Sequence, residues 1–207
     1  MMGVCTGAAM NGMRPVFMHN RPDFILLAFN QLVTHASKYH YMDNGQTTVP
    51  MVVWAAIGRG WGSGAQHSQS IQGLLLGVPG LKIVMPSTPY DAKGLMLAAI
   101  ADNNPVLIFE HRWLMKKDGM VPEGFYTVPL GKGVYRRHGK DVTIVGASHA
   151  LEVALQAAGK LADEGIDAEV IDLRTLKPLD EQIIAESLKK TGRLLVVDTG
   201  WAMGGVC

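Results

Sequence analysis

Cysteine is almost missing: Cys5 and Cys207 stand at opposite ends of 207 residues, with no metal-ligand spacing. This excludes a disulfide framework and a cysteine-held metal, and predicts reduced thiols in a reducing compartment. No apolar run reaches the ~18 residues a membrane span needs, and no basic-then-apolar leader opens the chain. Charge is also sparse, with 18% charged residues and a net charge of +1. That leaves no footprint for nucleic acid and no funnel for acidic ligands at the level of the whole chain. The short basic patch Arg136, Arg137, His138 and Lys140 reads as a solvated hairpin rather than a binding stripe. The expectation is a soluble protein of the cytoplasm, or of the mitochondrial matrix in a eukaryote, with neither nucleic-acid nor membrane partners.

What is present is apolar. Hydrophobic residues make up 48% of the chain, and its 12 methionines suit irregular gaps in a core. The length suffices for one large or two small domains. Both ends look like those of a fragment. The start, "MGVCTGAAMNGM", has small residues at helical spacing and no cap, and "RLLVVDTGWAMGGVC" stops where an α/β protein would begin another helix.

Apolar runs and amphipathic stretches alternate along the chain. Strands are predicted at "RPVFMH", "VPMVVWA", "LKIVMP" and "PVLIFEH". Between them fall a helix over Pro22 to Lys38 with Asn20 as a possible cap, a helix through "SIQGLLLG", and a helix at "STPYDAKGLMLAAIADN". The last is opened by a Ser/Thr cap with Pro89 at its start. Strands apolar on both faces and separated by helices imply a parallel sheet with right-handed crossovers. From residue 118 to 140 the chain turns to Gly, Pro and charge, reading as a linker and hairpin. A second block then runs strand "DVTIVGAS", helix "HALEVALQAAGKLADEG", strand "DAEVIDL", helix "DEQIIAESLKKTG" and strand "RLLVVDT". The fold class is α/β with two parallel-sheet domains, 1–117 and 141–207.

The stretch "GRGWGSGAQHSQS", Gly58 to Ser70, follows the strand "VPMVVWA" and so falls at the edge where such sheets bind ligands. It lacks the Lys-Ser/Thr of a phosphate loop. It meets the dinucleotide pattern only loosely, with no acidic residue about 20 positions on. Its glycines therefore serve tight turns and close approach. His67, at the expected start of a helix, is either a histidine satisfied in a cap or a positioned acid/base. The other six histidines lack clustered partners in sequence and read as structural. Phe24 alone reads as core filler, and "ADNNP" as a polar turn.

At "VPMVVWAAIGRGWGSGAQHSQS…VPGLKIVMPSTPYDAKGLMLAAIADNNPVLIFEH" the chain resembles the β subunits of thiamine-diphosphate-dependent 2-oxoacid dehydrogenases of the pyruvate, branched-chain and acetoin type. These belong to the transketolase-like superfamily. "AAMNGMRPV", "VIDLRTLKPLD" and "KKTGRLLVVDTGW" extend the likeness through nearly the whole chain. The resemblance implies a transketolase-like pyrimidine-binding domain followed by a partial transketolase C-terminal domain. It implies that His67 lines the reacting centre and that Phe24 stacks on the cofactor's aminopyrimidine. It also implies potassium held by carbonyls at Met51, Ala99 and Ile100 with Asp102 and Asn104, an all-oxygen set suited to a hard cation. The implied partners are an α subunit, which supplies magnesium-diphosphate binding, and a lipoyl-bearing acyltransferase. Alone, the chain is expected to form a homo-oligomer.

The chain departs from that pattern in places. The family's activating glutamate would fall just before Met1, and its Arg-Gly-Pro-Asn-Gly reads Trp54 to Gly58 here. Two other functions stay open from sequence: half of a split-chain transketolase, and a non-catalytic interaction module.

Overall fold

The computed structural model describes residues 1–206. Cys5 is a free, half-buried thiol, and Cys207, the other thiol expected to stay reduced, lies outside the described residues. The chain opens with α1 (Met2–Met10), which has no side-chain cap, and β1 (Val16–His19). After a segment of tight turns come α2 (Tyr39–Met42), β2 (Val52–Ile57), α3 (Gln72–Leu76) and β3 (Lys82–Val84). Then α4 (Pro89–Ala101) begins with Pro89 in its first turn, and the Thr88 side chain accepts from the Asp91 backbone N–H. That is the cap the sequence calls for. β4 (Val106–His111) completes the first half.

The first sheet has the order β1-β2-β4-β3, all parallel. Val53, Ala55 and Ile57 of β2 enter a core with Leu107 and Phe109, while Val52, Ile108 and Val84 face Leu95 and Ala99 of α4. Both faces are therefore apolar, which is why the strand reads as an unbroken run.

The expected helix from Pro22 to Lys38 is instead a 3-10 turn, Pro22–Ala28, followed by a π segment, Asn30–Ala36. Asn20 does not cap it; extended Arg21 precedes the turn, with no side-chain cap bond. Three-residue periodicity explains the first part, since Pro22 and Ile25 are buried, Ala28 is half-buried, and Phe24 and Leu27 are left outside.

The second half contains β5 (Val134–Arg137), β6 (Val142–Gly146), α5 (His149–Asp163), β7 (Ala168–Asp172), β8 (Thr175–Lys177), α6 (Glu181–Thr191) and β9 (Leu194–Val196). Its sheet runs β5-β7-β6-β9. The hairpin expected before residue 140 is not formed. β5 runs antiparallel to β7 at the sheet edge, while the more apolar β6 takes the interior between two parallel neighbours. Nor is the basic patch solvated throughout: Arg136 lies inward between Asp91 and Asp172, and Arg137 pairs with Asp167 at 3.4 Å. β8 was not expected. It crosses to the first sheet and pairs antiparallel with β3.

Candidate functional site at the carboxyl edge of the first sheet

β1, β2 and β4 end side by side, with His19 opposite Ala55 and Ile57 opposite His111. The loop from Gly58 to Ser70 leaves this edge. Its glycines 58, 60, 62 and 64 all adopt positive φ, at 114°, 99°, 65° and 71°. Glycine takes these values without the Cβ penalty of other residues, so alternate glycines let the loop fold back on the strand ends. A Cβ on Gly58 would stand 2.8 Å from the His111 ring, and one on Gly60 would stand 3.2 Å from Trp113. Close approach is thus the service of two glycines, and turning that of the other two.

His67 sits in a single 3-10 turn, Ala65–His67, rather than opening a longer helix. The turn stops at Ser68, whose φ of -130° and ψ of 8° leave the helical region, while the Gly64 carbonyl accepts from the His67 N–H at 3.3 Å and the Ser68 hydroxyl at 2.7 Å. Phe24 reaches the same place from the turn after β1. The rings of Phe24 and His67 meet edge to face, with centroids 5.3 Å apart and planes at 77°. Gln69 ties the two segments together by donating to Asp23 Oδ1 at 2.6 Å. Asp23 is buried, and among the described residues its Oδ2 has no partner. Phe24 is 44% exposed, so much of its ring is open beside the histidine. An open aromatic surface and a histidine thus meet at this edge, beside a carboxylate with one unsatisfied oxygen.

A second cluster adjoins the first. His111 stacks on His149 with centroids 4.7 Å apart, and Trp61 lies 4.2 Å from Trp113. The Arg112 guanidinium covers the Trp61 ring at 4.4 Å. Two histidines read as unclustered are therefore partners, brought together from the two halves of the chain. Burial, and then the charge of His149, lowers the His111 pKa to about 4, against a smaller opposing pull from Glu152. Burial also raises the Glu110 carboxyl. A cavity of about 190 Å³ opens here, lined in part by Ser87, Thr88, Glu110, His111 and Lys117. The signals for this cluster were "GRGW", which follows β2, and "EHRW", which ends β4; only strand pairing shows that they meet.

The five residues expected to hold potassium gather elsewhere. Met51 precedes β2 and Ala99 to Asn104 end α4, so they lie at the opposite edge, ~20 Å from the loop at 3.3 Å per strand residue. The Met51 carbonyl accepts from Val106 at 3.0 Å, and Arg14 donates to the carbonyls of Ile100 and Asp102, each at 2.8 Å. The Asp102 carboxylate pairs with Lys82 and accepts from Asn104. Burial opposes ionisation there, but these partners outweigh it and hold Asp102 below the usual carboxylate range. With two cationic side chains on these oxygens, the set as it stands does not fit a monovalent ion, and no chemistry is routed through one. Among the described residues no group of three or more His, Cys, Asp or Glu is arranged to hold a metal.

Residues 1–117 match the family model described as "Transketolase, pyrimidine binding domain", and residues 131–207 match "Transketolase, C-terminal domain". The chain belongs to the transketolase family. Among similar members is the acetoin:2,6-dichlorophenolindophenol oxidoreductase subunit beta of Bacillus subtilis. It is 47% identical over 197 residues, which are 95% of this chain and 58% of that one. The 2-oxoisovalerate dehydrogenase subunit beta of the same organism is 45% identical, covering 99% of this chain and 63% of that one. A solved "split gene transketolase, inactive beta4 tetramer" superposes with a TM-score of 0.81 at 27% identity, over 99% of this chain and 63% of that one. This transketolase-family chain spans about three-fifths of the length of these relatives.

Proposed function

We propose that the chain is the β-side part of a thiamine-diphosphate-dependent 2-oxoacid dehydrogenase, completed by an α subunit and delivering its acyl group to a lipoyl-bearing acyltransferase. The observation that carries the reading is the Phe24–His67 pair, an open aromatic face 5.3 Å from a histidine at the ligand-binding edge. Thiamine diphosphate, when bound, supplies the carbanion chemistry of decarboxylation. Phe24 offers its ring to the pyrimidine, and a ring nitrogen of His67 holds or passes a proton. Magnesium and the diphosphate fall to the α subunit. Identities of 45–47% to relatives named as acetoin oxidoreductase and 2-oxoisovalerate dehydrogenase subunits, against 27% for the split transketolase, support this over ketol transfer.

The test is reconstitution with the α partner and assay of lipoyl reduction from a 2-oxoacid, beside transfer to a sugar-phosphate acceptor. Lipoyl reduction is expected, and His67→Ala is expected to lower it by roughly 100- to 10,000-fold with circular dichroism unchanged. Transfer to the sugar phosphate alone would instead make the chain half of a transketolase. An unaltered rate in His67→Ala would remove the histidine from the chemistry.

A further inference from the structure

The chain has eight arginines. Arg14, Arg136, Arg137, Arg174 and Arg193 each donate to a carbonyl or carboxylate oxygen. Among the described residues, the side chains of Arg21, Arg59 and Arg112 donate to none and form no ion pair. These three are not scattered. Arg21 follows the end of β1, Arg59 the end of β2 and Arg112 the end of β4, three adjacent parallel strands. The register brings all three out at the edge that carries Phe24 and His67.

Two of them share a field. Burial and then the Arg112 charge push the Arg21 guanidinium below its usual range, with only Asp23 pulling the other way. Arg112 is held in place by the Trp61 face, and its Nη1 is shielded from solvent without an acceptor. An unmet buried N–H is costly, and like charges brought together repel. An anion arriving from outside relieves both costs. A guanidinium also matches carboxylate and phosphate geometry through two parallel hydrogen bonds.

Resting on the reading above, we infer that this edge selects a substrate carrying an anionic group in addition to the 2-oxoacid carboxylate, either a second carboxylate or a phosphate. One carboxylate occupies one guanidinium fork, and three unpaired arginines exceed that need even after Asp23 offsets part of their charge. Arg112 is the specificity-determining residue, since it alone is both fixed by a ring and left with a sheltered donor. Arg59, exposed on the glycine loop two residues past β2, is the second guanidinium assigned to the anion.

Calorimetric titration of the 207-residue chain with succinate, inorganic phosphate and acetate at matched ionic strength tests this. Saturable binding is expected for one or both of the first two and not for acetate. Arg112→Gln and Arg59→Gln should each weaken it roughly tenfold, the value of one charge-assisted hydrogen bond, whereas Arg193→Gln, in the second half of the chain, should leave it unchanged. Tighter succinate identifies the second carboxylate, and tighter phosphate identifies the phosphate. Equal heats for all three anions, or variants that bind like the original, overturn the inference. So does an α-reconstituted protein whose kcat/KM is the same for 2-oxobutyrate, 2-oxoglutarate and phosphonopyruvate. Saturable anion binding by a reconstituted protein that decarboxylates no 2-oxoacid would sink the proposed function and leave the anion site standing.

Discussion

His67 and Phe24 mean little one at a time, because a histidine in a loop and a phenylalanine in an apolar run are commonplace. Their meaning comes from adjacency, which the fold supplies and a spacing rule does not. His111 shows the same limit more sharply. In sequence it ends an apolar strand, yet it is 3% exposed and stacked on His149, with its pKa lowered to about 4 from 6.5. The unfolded chain therefore binds a proton at His111 that the folded chain refuses between those two values. Stability should hold above pH 6.5 and fall as pH drops towards 4. The loss from this one group is about 2 kcal/mol at pH 5. Urea unfolding at pH 7.5 and pH 5 should show it, and His111→Gln should flatten that part of the profile. A wild-type profile no steeper than that of the variant would mean that His111 titrates normally.

Among the elements, those with strong periodicity or an unbroken apolar run were legible in the sequence: β2, β4, α4, α5 and α6 form where the pattern puts them. What escaped was set by partners distant in sequence. β8 is too short to declare itself and exists because β3 offers it an edge, while β5 avoids β6 because β7 takes it. The Pro22–Ala28 turn hides as a helix, since three-residue and 3.6-residue periods differ little over seven residues. The glycine loop was legible in kind, as a tight and closely packed segment, but not in the division of labour among its glycines. That division is testable. Gly58→Ala combines a φ of 114° with a Cβ 2.8 Å from a buried ring, whereas Gly62→Ala has a φ of 65° and open space. The first should cost roughly 2–4 kcal/mol and the second about 1 kcal/mol in urea unfolding. Equal losses would show that the His111 contact does not constrain the loop.

Across the whole molecule, the two sheets are joined by more than a tether. β8 extends the first sheet, Ser87 donates to Asp172 at 2.8 Å, and Arg136 binds the buried carboxylates of both Asp91 and Asp172. Losing Arg136 would leave the buried Asp172 carboxylate without its cationic partner, so the halves are held in a fixed relation. The outer surface is less complete. Leu27 is 86% exposed, with Phe24 and Leu26 beside it at 44% and 43%. The edge strand β9 leaves Leu194 and Leu195 at 44% and 50%. An apolar face next to the ligand edge and an open strand edge both favour covering by another subunit. Made without a partner, the chain should therefore associate with itself. Sedimentation velocity at micromolar concentration should give a dimer or larger species, and Leu27→Asp should shift it towards the 22.4 kDa monomer. If the unmodified chain sediments as a clean monomer, the Phe24–Leu27 face is not a subunit contact, and the case for a shared site beside Phe24 weakens with it.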